Sequence, residues 1–251
     1  MDDLDLLIDL HLAAERQGPG SREATLKAIA LSGLESGRDL NIADIGCGTG
    51  ASTLVLAEKL DTCVTAVDFL PAFLTRLEEL AAAEELSGRV KILEASMDDL
   101  PFAEDSLDAI WSEGAIYNMG FENGVREWCQ FLKPGGIFAV SELTWLTRER
   151  PSELEQHWLR EYPEVATASE KLAILEGNGY SPIGYFPLNK QCWLDNYYLP
   201  MQDRFEQFLS RNNYSESARA IVAAERSEIS LYDRFSSFFG YGYYVAKKVS
   251  D

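Results

Sequence analysis

Three glycines alternate with other residues just after a short apolar run, and this arrangement limits the folds that are open to the chain. The stretch reads NIADIGCGTGAST, residues 41–53, and sets Gly46, Gly48 and Gly50 between a predicted strand and a predicted helix. Glycines in such a turn let backbone N–H groups and a helix N-terminus face a ligand. The same spacing, with Ala51 in third place, also satisfies the dinucleotide fingerprint, so the turn alone leaves the ligand open.

Strand and helix patterns alternate along the chain around this turn. Helical patterns separate five apolar or β-branched runs that predict strands over 41–45, 62–68, 89–95, 107–113 and 137–143. Two more strand candidates, 181–188 and 238–249, lie among helical stretches that are rich in aromatic residues. Alternating strands and helices predict an α/β fold with a doubly wound, mostly parallel sheet that is covered on both faces.

The charge balance excludes several classes of partner. Acidic residues outnumber Lys plus Arg by 41 to 22, which gives a formal net charge of −19. Nucleic acids and anionic membranes are bound through Lys and Arg, so we expect neither as a partner. No apolar run reaches the roughly 18 residues of a membrane span, and the acidic N-terminus does not resemble a secretory signal. A cytoplasmic protein is therefore the expectation.

The cysteines and histidines offer no pattern typical of a metal site. None of the four cysteines lies in a C-x-x-C pair, and both histidines are far from them in sequence. We therefore expect no metal and free thiols in a reducing compartment.

Four segments, in order over about a hundred residues, together resemble the class I S-adenosylmethionine-dependent methyltransferases. The similarity is to the small-molecule members, like those of ubiquinone and menaquinone biosynthesis. The segments are DIGCGTG (44–50), Asp68 at the second strand end, MDDLPFAEDSLDAIWS (97–112) and FLKPGGIFAVSE (131–142). The resemblance implies S-adenosyl-L-methionine as cofactor, a small-molecule acceptor, and a seven-stranded Rossmann-like sheet whose last strand is antiparallel.

The resemblance also implies a division of the chain. We expect one methyltransferase domain over 1–251, with an N-terminal helical arm (1–37), a cofactor-binding core (38–143) and an acceptor-side half with helical insertions (144–251). Helical apolar spacing over 4–16 precedes the break Gly18-Pro19-Gly20, so residues 1–20 are predicted to form a lid. A homodimer is left open.

Two aspartates bear on the choice of cofactor. Asp68 can accept hydrogen bonds from ribose hydroxyls of either NAD or S-adenosylmethionine. Asp44 stands two residues before Gly46, where it repels a pyrophosphate and favours a cationic ligand.

The resemblance places Ser96 and Met97 at the adenine. Many members have Asp at the position of Ser96, so either Asp98 takes its role or the Ser96 hydroxyl and a backbone carbonyl suffice. Met97 suits a base, although an ordinary core methionine is the alternative. The predicted cofactor-binding residues are Gln17, Gly18, Asp44, Gly46, Cys47, Gly48, Gly50, Asp68, Phe69, Ser96, Met97, Asp98, Ser112 and Glu113.

Residues after the fourth and fifth predicted strands are candidates for the acceptor site. Glu113 and Tyr117 are the predicted catalytic residues. Three roles are open for Glu113. It acts as a general base, it attracts a cationic acceptor, or it is a solvated carboxylate in a loop. The predicted acceptor-binding residues are Tyr117, Asn118, Glu142 and Trp145, with weaker candidates at Thr144, His11, Tyr197 and Tyr198. For Trp145, a role in hydrophobic packing alone is an equal alternative to acceptor binding.

Two other functions stay open at this point. One is an NAD(P)-dependent oxidoreductase on a Rossmann sheet, and the other is a protein that binds S-adenosylmethionine without catalysis.

Overall fold

The computed structural model describes residues 3–249, which fold around one eight-stranded sheet. The strands are β1 Ile42–Ile45, β2 Val64–Asp68, β3 Val90–Glu94, β4 Leu107–Glu113, β5 Leu132–Trp145, β6 Ala166–Thr167, β7 Tyr180–Pro187 and β8 Phe239–Lys248. The sheet order is β3-β2-β1-β4-β5-β8-β7, and β6 pairs with β5 outside this path.

Strand direction confirms the predicted sheet. The pairs among β1 to β5 are parallel, whereas β8 is antiparallel to both β5 and β7. All seven predicted strands are present. The chain order reverses between β1 and β4, and in such sheets the ligand crevice opens at the carboxyl ends of the strands at this point.

Ten helices are found in the described part of the chain. They are α1 Asp3–His11, α2 Arg22–Ser32, α3 Ala51–Leu60, α4 Pro71–Ala83, α5 Phe121–Trp128, α6 Ser152–Glu161, α7 Ala168–Gly177, α8 Lys190–Trp193, α9 Leu199–Arg211 and α10 Glu216–Phe235. Ser21 caps α2 by accepting a hydrogen bond from the N–H of Ala24. A π-helical turn, Leu194–Tyr198, joins α8 to α9.

Some boundaries differ from the sequence prediction. After α5 a 3-10 turn, Cys129–Phe131, leads into β5, which begins at Leu132, five residues before the start of the strand predicted over 137–143. The arm helix ends at His11 although the apolar spacing continued to residue 16. β6 was not predicted, since a two-residue strand has no periodic signal. It pairs with Thr144 and Trp145, where β5 extends beyond the end of β4.

The sheet is covered on both faces, as predicted. Ala43 and Ile45 of β1 pack in a buried cluster with Trp128 of α5, whereas Ile42 packs in another with Leu56 of α3. This alternation follows from the opposite orientation of successive strand side chains. The division into arm, core and acceptor-side half stays a prediction.

A further apolar cluster joins the arm to the C-terminal helices. Leu6 and Leu10 of α1 are buried among residues of α9 and α10, including Phe208 and Val222. The ion pair of Arg211 with Asp9, at 3.0 Å, lies at the edge of this contact. The arm is therefore anchored on the C-terminal half. None of the described helices combines the length and the apolar character needed to cross a membrane.

Candidate functional site

The glycine turn adopts backbone conformations that side chains resist. Gly46 and Gly48 have φ of 71° and 55°, in the left-handed region that favours glycine. A Cβ on Gly46 would overlap that of Ala115, and one on Gly48 would overlap the amide oxygen of Gln17. Glycine is therefore required here both for conformation and for close approach.

The N–H groups of this turn are bound within the protein, contrary to the expectation that they face a ligand. Those of Gly46 and Cys47 donate to the carbonyl of Val67, and that of Gly50 donates to the carbonyl of Cys47. The N–H of Thr49 donates to the Gln17 amide oxygen at 2.9 Å. The backbone donors left to a ligand are thus those of the following helix, whose first residues line the adjoining cavity.

Asp68 fixes this turn to the end of β2. Its Oδ2 accepts from the N–H of Gly48 at 2.9 Å, and its Oδ1 accepts from the N–H of Leu70 at 3.0 Å. Burial raises the pKa of Asp68, and these N–H groups oppose that shift. The carboxylate keeps free acceptor capacity and lines the cavity.

Asp44 lies fully buried beneath the turn. Its Oδ2 accepts from the hydroxyls of Ser52 at 2.7 Å and Thr53 at 2.6 Å. Its Oδ1 has no hydrogen-bond partner among the described residues. Burial raises the pKa of Asp44 to about 7, although the two hydroxyls lower it. An unpartnered buried carboxylate oxygen favours a positive ligand nearby.

Glu113, at the end of β4, is held in a network of donors. Its Oε2 accepts from Arg16 at 2.9 Å, and both side chains are more than nine-tenths buried. Its Oε1 accepts from the side chains of Thr25 at 2.6 Å, Tyr243 at 3.0 Å and Trp111 at 3.1 Å. A carboxylate bound to an arginine and three further donors has little capacity left to take a proton from an acceptor. This disfavours the general-base hypothesis and excludes a solvated loop carboxylate.

Two adjoining cavities lie at this edge of the sheet. The first, which we call the glycine-turn cavity, has a volume of about 340 Å³ and lies between the turn, the ends of β2 and β4, and the arm. The second, which we call the aromatic cavity, has about 210 Å³. Five residues line both: Gln17, Gly18, Pro19, Gly114 and Tyr117.

The structure brings most predicted site residues to these cavities. Those that line the glycine-turn cavity are Gln17, Gly18, Gly46, Cys47, Gly48, Asp68, Phe69, Met97, Glu113, Tyr117 and Asn118. Tyr197, a weaker candidate, lines the aromatic cavity. Those that line neither cavity are His11, Asp44, Gly50, Ser96, Asp98, Ser112, Glu142, Thr144, Trp145 and Tyr198.

Several of these outlying residues have other contacts. Ser96 and Asp98 are exposed, and their neighbours Ala95 and Met97 line the cavity in their place. The buried ring of Trp145 packs against the Arg150 guanidinium, 4.4 Å from the ring centroid. Glu142 is also buried, and burial raises its pKa to about 7. Ser96, Asp98, Glu142 and Trp145 therefore lie outside direct reach of either cavity.

Sequence reasoning missed most of the aromatic cavity. Its wall combines residues from α6 and the position after it, α8, α10 and β8, which are distant in sequence: Trp158, Tyr162, Trp193, Glu228 and Tyr241. Arg16 was also missed, although its position two residues before the first glycine of the break is the one signal that marked it.

Comparisons with known proteins agree on one family. Residues 42–136 match the family described as "Methyltransferase domain". The chain is similar to sterol 24-C-methyltransferase erg-4 of Neurospora crassa, 28% identical over 57% of this chain and 35% of that protein. It is also similar to ubiquinone/menaquinone biosynthesis C-methyltransferase UbiE of Geotalea daltonii, 32% identical over 41% of this chain and 45% of that protein. The chain thus spans less than half the length of these curated relatives.

The fold has a close match among solved structures. A SAM-dependent methyltransferase from Geobacter sulfurreducens, solved in complex with S-adenosyl-L-homocysteine, superimposes with a TM-score of 0.83 at 18% identity. The match covers 97% of this chain and 98% of that one. Together with the match of residues 42–136 to the methyltransferase-domain family, it confirms the predicted resemblance, and the chain has the fold of the class I S-adenosylmethionine-dependent methyltransferases.

Proposed function

We propose that this protein transfers a methyl group from S-adenosyl-L-methionine to a small-molecule acceptor. The observation that carries the proposal is the pair of adjoining cavities, with five lining residues in common, at the switch point of the sheet. One cavity is bounded by the glycine turn and Asp68, and the other is bounded largely by aromatic rings. A volume of about 340 Å³ lies within the range of roughly 300–1,000 Å³ typical of ligand pockets.

The residues of the glycine-turn cavity fit this cofactor. Asp68 has acceptor capacity for ribose hydroxyls, and the apolar side chains of Phe69 and Met97 suit the faces of adenine. The N-terminus of α3, at Ala51 and Ser52, suits the methionine carboxylate. Asp44 does not line this cavity, but its unpartnered buried oxygen beneath the turn favours a positively charged ligand over a pyrophosphate.

The cofactor supplies an activated methyl group, so the protein has to align the acceptor and exclude water. We propose that Tyr117 and Asn118, at the junction of the cavities, orient the acceptor. Glu113 is a positioning residue in this proposal, because Arg16 and three further donors hold its carboxylate in place. Gln17, Gly18 and Pro19 of the arm line both cavities and so separate them from solvent.

Titration calorimetry with S-adenosylmethionine, S-adenosylhomocysteine and NADH tests the cofactor assignment. We expect the first two ligands to bind and NADH to bind at least a hundredfold more weakly. Tight binding of NADH would favour the oxidoreductase. Release of S-adenosylhomocysteine with a panel of metabolites then tests catalysis, and binding without turnover of any panel member would favour a non-catalytic protein.

Tyr117→Phe tests the assignment of the acceptor side. This substitution removes one hydroxyl at the junction and leaves the glycine turn intact, so we expect a lower kcat with unchanged affinity for S-adenosylhomocysteine. Unchanged kcat and KM would remove the Tyr117 hydroxyl from the reaction.

We further propose that the protein acts in the cytoplasm. All four cysteines are free, and Cys63 is exposed, which suits a reducing compartment. A homodimer stays a hypothesis, which light scattering of the purified protein tests.

A further inference from the structure

The aromatic cavity is lined by aromatic rings together with acidic side chains. Aromatic rings surround it, and Trp193 and Tyr241 meet edge to face at 5.0 Å between ring centroids. Tyr117 and Tyr162 meet similarly at 6.1 Å. The electron-rich faces of such rings attract cations within about 6 Å, most strongly where water is excluded.

The charges at this cavity have one sign. Of the described residues that line it, the charged ones are Glu161 and Glu228, and none is Lys, Arg or His. Glu228 Oε1 accepts from the Tyr198 hydroxyl at 2.9 Å. Burial raises the pKa of Glu228, so its charged form lacks full compensation from the protein. A positive ligand at this position would supply the missing compensation.

Among the nearby basic groups, His157 lowers the pKa of Glu228, but burial outweighs this effect and the pKa stays above its ordinary value, so the compensation is partial. Lys171 lies behind the wall, with its Nζ 4.2 Å from the centroid of Phe121 and 5.7 Å from that of Tyr162. The buried acid Glu142 is its main electrostatic partner. Burial lowers the pKa of His11 to about 4, so its imidazole is neutral at pH 7.

The wall also carries polar groups that lack partners. The indole N–H groups of Trp158 and Trp193 have no hydrogen-bond acceptor among the described residues, and both side chains are at least nine-tenths buried. Buried donors are normally satisfied, so a ligand with an oxygen atom as well as a cation suits this cavity.

We propose that the acceptor is a small organic amine, cationic in solution, which binds in the aromatic cavity between its rings and the carboxylate of Glu228. This rests on the proposed methyl transfer and names its substrate class. A volume of about 210 Å³ limits the amine to a small molecule. Gly114 and Tyr117 line both cavities. The amine nitrogen has to lie near these two residues in order to reach the methyl group of the cofactor.

The proposed methyl transfer to an amine conserves atoms, electrons and charge. The ammonium first gives one proton to water or to the Glu228 carboxylate, which frees the nitrogen lone pair. The nitrogen then forms a bond to the methyl carbon, and the electrons of the broken C–S bond remain on sulfur. The products are S-adenosylhomocysteine and a methylated ammonium of the same charge as the starting ammonium, and the proton first released passes to solvent.

Matched cation and neutral probes test the proposal by calorimetry on protein saturated with S-adenosylhomocysteine. The pairs are choline with 3,3-dimethyl-1-butanol, and 2-phenylethylamine with 2-phenylethanol. We expect at least one cation to bind tenfold or more tightly than its neutral partner. We also expect Glu228→Gln, which keeps the acceptor for Tyr198, to remove at least fivefold of that preference.

Asp233→Asn is the matched control, since Asp233 lies exposed on the same helix and does not line the cavity. It should leave the cation preference unchanged, and all variants should bind S-adenosylhomocysteine like the wild type. If neither cation exceeds its neutral partner, or if Glu228→Gln leaves the preference intact, the amine proposal is wrong. Failure to bind S-adenosylhomocysteine would instead contradict the proposed function.

Discussion

The ion pair between Arg16 and Glu113 joins the arm to the end of β4, and Glu113→Gln tests it directly. In this variant the amide Nε2, a hydrogen-bond donor, would face the Arg16 guanidinium, which is also a donor, so the hydrogen bond between the two side chains would be lost. Its Oε1 could still accept from Thr25, Trp111 and Tyr243. The substitution therefore removes the charge partner of Arg16 and changes little else.

The expected cost follows from burial. Exposed fractions of 8% for Arg16 and 7% for Glu113 leave little solvent screening. Removing one partner of such a pair costs about 3–5 kcal/mol when the other charge stays buried. Arg16 can instead leave with the arm, but burial of Leu6 and Leu10 contributes about 1.5–3 kcal/mol each. Both routes give a loss of about 3 kcal/mol or more.

Urea unfolding followed by circular dichroism measures this loss. Because Arg16→Met in the same chain removes the uncompensated charge, the double variant should recover at least about 1 kcal/mol relative to the sum of the single variants. Hydrogen exchange over residues 3–20 distinguishes the two routes, since it rises in Glu113→Gln only if the arm detaches.

Glu79→Gln is the control, because the pair of Glu79 with Arg76 is 61% and 40% exposed. Its loss should stay below about 0.5 kcal/mol. A loss below about 1 kcal/mol for Glu113→Gln, or no recovery in the double variant, would refute the reasoning that this pair holds the arm.

Four further outcomes are expected. Asp68→Ala should weaken S-adenosylhomocysteine binding by roughly 1.5–3 kcal/mol, the range for hydrogen bonds to a charged group; unchanged calorimetry with an intact fold would remove Asp68 from the site. Gly48→Val should abolish binding, because φ is 55° and the added side chain meets Gln17; normal binding by the folded variant would place the ligand elsewhere. Deleting residues 1–20 should cost at least tenfold in affinity, about 1.4 kcal/mol, and hydrogen exchange in the intact arm should slow on binding; equal affinity would show that the arm is no lid. Burial raises the pKa of Asp44 to about 7 from 3.8, so its contribution to stability falls as pH rises between about 4 and 7; Asp44→Asn should flatten this part of the stability profile, as thermal unfolding at several pH values can check.

The sheet was predictable because its signals are local. Each core strand is a short apolar or β-branched run, and a start signal such as Pro71 marks a helix between two of them. The turn at Gly46 and Gly48 was likewise predictable, since only glycine suits its backbone and its close contacts.

The acceptor side was less predictable because its contacts cross long distances in sequence. Trp158 and Tyr241 come together only after β8 inserts beside β5, and no periodicity records that contact. The orientation of the side chains that follow β3 was also not predictable from the sequence. Exposed Ser96 is directly followed by Met97, which lines the cavity, and the sequence does not show which of the two faces inward.

The end of β4 relates the two cavities to each other. Glu113 binds the arm through Arg16, α2 through Thr25 and β8 through Tyr243. The next residue, Gly114, lines both cavities, and a Cβ there would come within 2.9 Å of the ring of Tyr241. A buried carboxylate at this point fixes the backbone of its neighbour, because its donors come from separate elements that cannot shift independently. In the proposed reaction, we therefore expect Glu113 and Gly114 to set the distance between cofactor and acceptor, even though neither residue has to take part in the bond that forms.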